Sequence, residues 1–237
     1  MRAQSHVVGV ALLLGISVVA LGSLTVAVGV LVDSGTASAD AARVADELDA
    51  ALKPVETTGP RSGQVHFTGG TLSTVQREVR VLDESGVVDS RRVGGLVFES
   101  GDRRVAYVAG AVVRGQPGSA WLAAEPPITA SERTAVLVAG IPRLQAGSVA
   151  VSGGAATAAT LETNVSHTRT ALGTDTYSVA VETETHRPFE RYFADQNASV
   201  RRTDLDGDGI ESVVAEYPGE REGYLVVHNL SLEVNGG

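Results

Sequence analysis

Cysteine is absent from the chain. That excludes disulfide staples, a thiol nucleophile and thiolate-ligated metal, so the fold must rest on its core and on any ions it binds. Lysine is nearly absent too: of 19 basic residues only Lys53 is lysine, set against 28 acids for a formal net charge of -9. A basic groove for nucleic acid is therefore not expected. Catalytic signatures are also missing. There is no G-x-S-x-G elbow, no H-E-x-x-H and no phosphate loop with lysine, and His6, His66, His167, His186 and His228 lack metal-ligand spacing. Enzyme activity is not expected.

Charge is missing altogether between Val7 and Val32, VVGVALLLGISVVALGSLTVAVGVLV. As a helix at ~1.5 Å per residue this run is roughly 39 Å long, enough to cross a ~30 Å hydrocarbon core with some tilt. Arg2 is the one charged side chain before it. The positive-inside rule then keeps the amino terminus in the cytoplasm and places residues 33–237 outside. The expected protein is a single-pass cell-membrane protein with its bulk extracellular.

Three readings of the segment compete. A cleaved secretory signal has an apolar core of ~7–15 residues, shorter than this one, although Ala37-Ser38-Ala39 is a passable cleavage site. An uncut signal anchor fits the length. The third is a prepilin leader, cut before the helix. Arg2-Ala3, then Gln4-Ser5-His6-Val7-Val8-Gly9-Val10, then the apolar helix resemble the amino terminus of haloarchaeal type IV pilin-like proteins. The resemblance implies cleavage between Ala3 and Gln4 by the membrane-embedded prepilin peptidase, and packing with like or other pilin subunits. The glutamate near the start of the mature helix in bacterial pilins has no counterpart here. The acid excess, with arginine in place of lysine, also looks like a halophilic archaeon, in which acidic surfaces stay hydrated in concentrated salt. An acidic protein from a GC-rich bacterium has the same composition.

These observations divide the chain into a leader at 1–3, a transmembrane helix at 4–32, a stalk helix and linker at 33–63 and an extracellular β-rich domain at 64–237. The expected fold class is mainly β (α+β), an antiparallel sheet or sandwich with a short covering helix near 187–196. In the stalk, Ala41, Val44, Ala45, Leu48 and Leu52 repeat at helical spacing until Pro54. Glu56 to Gly63 reads as a loop.

Beyond it the period becomes two. Glu78-Val79-Arg80-Val81, Leu96 to Glu99, Arg103 to Val113, Thr134 to Ala139 and Ser148 to Ser152 are strand candidates, and Pro142 argues against a continuous central strand. Trp121 is expected to fill the core. Leu161 to Arg169 and Thr176 to Thr183 alternate, and HRPFERYFADQ places Phe189, Tyr192 and Phe193 on one helical face above the sheet. Ser199 to Thr203, Glu211 to Tyr217 and Gly223 to Val234 read as a meander, with His228 a packed or edge residue.

Two features carry chemistry. Asp204, Asp206 and Asp208 alternate before Gly209, aiming three carboxylates into one turn; this resembles the first half of an EF-hand or dockerin-type calcium loop. Position twelve of such a loop is Ala215, so Glu211 or Glu216 is the expected substitute, with Glu211 taken as the fourth ligand. A structural Ca2+ is the cofactor expected; the alternative is an Asp-Gly hairpin turn with no ion. Asn164, Asn197 and Asn229 each open an N-x-S sequon and are expected glycosylation sites. The function these features imply is a pilin-like surface subunit, a minor pilin or pseudopilin, with a structural, assembly or adhesion role. The alternative is a solitary anchored binding module.

Overall fold

The computed structural model describes residues 35–53, 58–116, 118–154 and 156–236, with Ile16 and Val19 besides. Ala3, Gln4, the remainder of the run to Val32, and Pro54 lie outside the described residues. Among the described residues no helix is long and apolar enough to cross a membrane.

Residues 35–52 form helix α1. The stripe read from its spacing, Ala41, Val44, Ala45, Leu48 and Leu52, is wholly buried. It packs on a six-stranded sheet ordered β11 (Ala150–Gly153), β2 (Gly70–Val75), β5 (Gly95–Ser100), β6 (Arg103–Val108), β7 (Ala111–Gln116) and β8 (Ser119–Ala124). Leu72, Leu96, Phe98, Val105, Tyr107 and Val112 meet the helix from that sheet.

Polar contacts fix the helix against β1 (Gly59–Phe67) and the turn after it. Asp40, only 2% exposed, accepts from Thr68 N at 2.8 Å, Thr68 Oγ1 at 2.6 Å and Gly69 N at 3.3 Å. Two turns further on, a Glu47 oxygen accepts from His66 N at 2.6 Å. Tyr107 donates its hydroxyl to Leu52 O at 3.1 Å, satisfying a carbonyl at the helix end. The approach is close enough that a Cβ on Gly63 would lie 2.5 Å from that of Ala51. Ala37-Ser38-Ala39, the small-residue triplet of the secretory-signal reading, lies inside this helix.

The opposite face of the same sheet is also covered. Val97, Ala106, Val108 and Val113 enter a second core with Val79 and Val81 of β3 (Glu78–Asp83), Val179 and Val181 of β13 (Ser178–Glu182), and Val213 and Ala215 of β15 (Ser212–Glu216). Phe189 and Phe193 of helix α2 (His186–Asp195) close it, as their spacing predicts. Burial on both faces explains the unbroken apolar runs of β5 to β7, which an ordinary half-buried antiparallel strand would not show.

β13, β15 and β3 belong to a second sheet, ordered β14 (Ser199–Thr203), β15, β13, β3 and β4 (Gly86–Arg92). A third sheet runs β1, β12 (Thr157–Asp175), β16 (Arg221–Asn229), β10 (Val136–Arg143) and β9 (Ile128–Ser131), with β17 (Glu233–Gly236) also on β12.

Several expectations are corrected here. β1 starts at Gly59, so the stretch read as a loop is partly strand. Arg103 to Val113 is two strands, not one, because Ala109 and Gly110 turn with positive φ of 51° and 83°. Trp121 is 46% exposed on edge strand β8, with the Arg114 guanidinium 5.4 Å from its ring centroid. Pro142 does lie within a strand: β9 pairs only with Val136 to Ala139, so it needs no amide from that proline.

The carboxy-terminal meander is also corrected. β14 and β15 pair, but β16 leaves for the third sheet, where it runs parallel to β10. One parallel pair therefore interrupts the antiparallel plan. The stretch from Gly223 to Val234 breaks between β16 and β17, and Leu225 and Val227 face the core there.

Candidate functional site

The Asp-rich stretch is the hairpin loop joining β14 to β15. Asp204, Asp206 and Asp208 offer carboxylate oxygens within 4.8 Å of one another, all on exposed residues. Their oxygens also hold the turn. Asp204 accepts from Gly207 N at 2.8 Å and Gly209 N at 3.0 Å, and Asp208 accepts from Ile210 N at 2.8 Å. Both glycines carry positive φ, 79° and 91°, which the turn requires. Glu211 sits elsewhere, its carboxylate 3.7 Å from His186 Nε2.

What the sequence reading missed lies beneath the loop. Asp206 reaches down to β3 and β13, where its carboxylate oxygen comes within 4.8 Å of those of Glu78 and Glu182. Arg80, itself buried, donates to Asp206 at 2.6 Å and also pairs with Glu78. Glu182 is 4% exposed and, among the described residues, its carboxylate has no hydrogen bond or salt bridge. Arg77 is close but committed, donating to Glu184 at 2.5 Å and to Gln76 O at 2.6 Å.

The electrostatics follow from this placement. Burial, and next the Asp208 charge, push the Glu182 carboxyl up to about 7. The Arg80 guanidinium holds Asp206 below the usual carboxylate range. A cavity of about 360 Å³ opens over the group, lined by Gln76, Arg77, Glu78, Arg92, Glu182, Asp206 and Asp208. The signal available in the sequence was one carboxylate closing the apolar strand Ser178–Glu182; it named no partner.

A larger cleft of about 650 Å³ lies between β6, β7, β8 and the start of α2. Arg103, Arg104, Arg187 and Arg202 line it together with Glu99, Asp102 and Glu184. Arg104 is paired to Glu184 at 2.6 Å and Arg202 to Glu190 through both carboxylate oxygens, so much of its charge is matched internally. The aromatic face of α2 is turned away from ligands: Phe189 and Phe193 are buried, and Tyr192 donates to Pro126 O and Ile128 O at 3.0 and 2.8 Å.

The three sequons differ in what holds them. Asn164 is exposed in β12, with its side chain in none of the hydrogen bonds described. The Asn197 amide is paired to Glu132, and Asn229 Oδ1 accepts from Arg143 Nη1 at 3.2 Å. His228 is buried against His167.

No curated protein and no solved structure matches the chain. A family model, described as a family of unknown function, matches residues 2–233. On that match, which spans the apolar run, α1 and all three sheets together, the chain belongs to the family of unknown function DUF7289.

Proposed function

We propose that this protein is a membrane-anchored surface subunit of pilin-like type, its β-rich body carried outside the cell in a structural, assembly or adhesion role without catalysis. The observation that supports this is the seam between anchor and body. Only Asp33 and Ser34 separate the uncharged run from α1, whose stripe is built into the core and whose Asp40 and Glu47 grip β1 and its turn. Load reaching α1 would be passed to the sheets through its packed stripe and these polar contacts. The acidic surface and the sequons suit an external face, and calcium serves as a structural ion.

The test is the amino-terminal residue of protein recovered from its host's membrane, by mass spectrometry of the terminal peptide. A start at Gln4 supports prepilin processing. A start at Asp40 overturns the reading, because it would cut the protein inside α1.

The alternative, a solitary anchored binding module, is favoured by the 650 Å³ cleft beside α2. An intact Ala3-Gln4 bond in the mature protein would select it.

A further inference from the structure

We infer that Glu78, Glu182 and Asp206 form a binding site for a hard divalent cation of the calcium class, seated under the Asp-rich loop rather than in it. The inference rests on the reading of a structural calcium ion but moves its ligands. The loop aspartates spend oxygens on the turn's own amides, Asp204 and Asp208 at 2.8–3.0 Å and Asp206 only at 3.4 Å, from Asp208 N. Glu182 has no such use. It is 4% exposed, without a hydrogen bond among the described residues, and aimed at two further carboxylates within 4.8 Å.

A carboxylate in that setting needs a compensating charge or a proton. Arg80 supplies one positive charge to the three carboxylates, and the Arg77 charge, which also bears on Glu182, is matched by a fourth carboxylate, Glu184. A net charge of about two negatives remains, which a divalent ion matches. The donors are all oxygen, as calcium prefers, and the cavity of about 360 Å³ leaves room for water to complete six to eight ligands. Such an ion would join β3, β13 and the β14–β15 loop, three segments far apart in the chain.

The experiment titrates CaCl2 into chelator-treated full-length protein in detergent micelles, in moderate salt, reading heat of binding and thermal midpoint. Wild type is expected to bind one ion, with a midpoint rise of roughly 5–10 °C at about a hundredfold excess over Kd. Glu182→Gln is expected to abolish both signals while its ion-free midpoint is no lower than that of wild type, which separates lost binding from lost folding. Asp204→Asn is expected to keep the calcium response. If Glu182→Gln binds as wild type does while Asp204→Asn does not, the ion belongs to the loop alone and the inference falls while the calcium reading stands. If wild type shows no response up to millimolar calcium, both fall.

Discussion

His167 Nδ1 and His228 Nδ1 lie 2.8 Å apart across the β12–β16 register, with their rings edge to face. A hydrogen bond between two ring nitrogens needs one N–H and one bare acceptor, so the pair cannot hold a proton on both. Burial, and then the neighbouring His167, push His228 down to about 4.

The sign of the resulting pH dependence is fixed. The unfolded chain takes up a proton on His228 below the ordinary histidine value of 6.5, whereas the folded chain resists it until about 4. The stability this neutral histidine contributes is complete above 6.5 and is lost as pH falls through that window, by an amount of order 2 kcal/mol. Urea unfolding between pH 7.5 and 4 should show the loss in wild type and a flatter profile in His228→Gln.

Glu182 works in the opposite direction. Its carboxyl is raised from 4.5 to about 7, so its contribution is complete below 4.5 and is lost as pH rises through 7. In chelator, Glu182→Gln should therefore be more stable than wild type at pH 8, by ~1–2 kcal/mol, and indistinguishable near pH 4. A variant that is destabilised at pH 8 would mean that the ionised carboxylate has a partner in the fold.

The seating of α1 can be tested at Asp40. Replacing it with alanine strands the amides of Thr68 and Gly69 and the Thr68 hydroxyl, and should cost ~2–3 kcal/mol. Asp40→Asn, which keeps one acceptor, should cost less. Denaturant midpoints of the two variants give the order.

Gly63 provides a reciprocal test of the same contact. Gly63→Ala puts a methyl 2.5 Å from the Ala51 Cβ and should destabilise by ~1–3 kcal/mol. Ala51→Gly opens the space at a helix cost of ~1 kcal/mol, so the double variant should be less destabilised than the two single costs added.

Glycan, if attached in the native host, should be found on Asn164 ahead of the other two sequons. Its side chain is exposed and uncommitted among the described residues, whereas Asn197 and Asn229 are tied to Glu132 and Arg143. Intact mass of wild type and Asn164→Gln from the host measures it; equal masses beyond the substitution itself would contradict the prediction.

Legibility in the sequence followed the range of the interaction. The α1 stripe, the aromatic face of α2, strand β14 and the alternation of Leu161 to Val165 were readable because period 3.6 or 2 records which side of an element is dry. The Ala109-Gly110 turn was hidden by apolar residues on both sides, since the hairpin is buried on both faces. Trp121 misled because size suggests burial, while the edge position of β8 sets exposure.

By itself the sequence determined the local elements, the uncharged amino-terminal run, the acidic surface and the exclusion of thiol chemistry, for each depends on residue type and short-range spacing. Only the tertiary structure decided that β16 abandons β15 to run parallel with β10, that one sheet lies between two cores, and that Glu78, Glu182 and Asp206 converge. Convergence of residues a hundred positions apart depends on which sheet each strand joins. That choice is made by the burial of whole faces against one another, and no short window of residues records it.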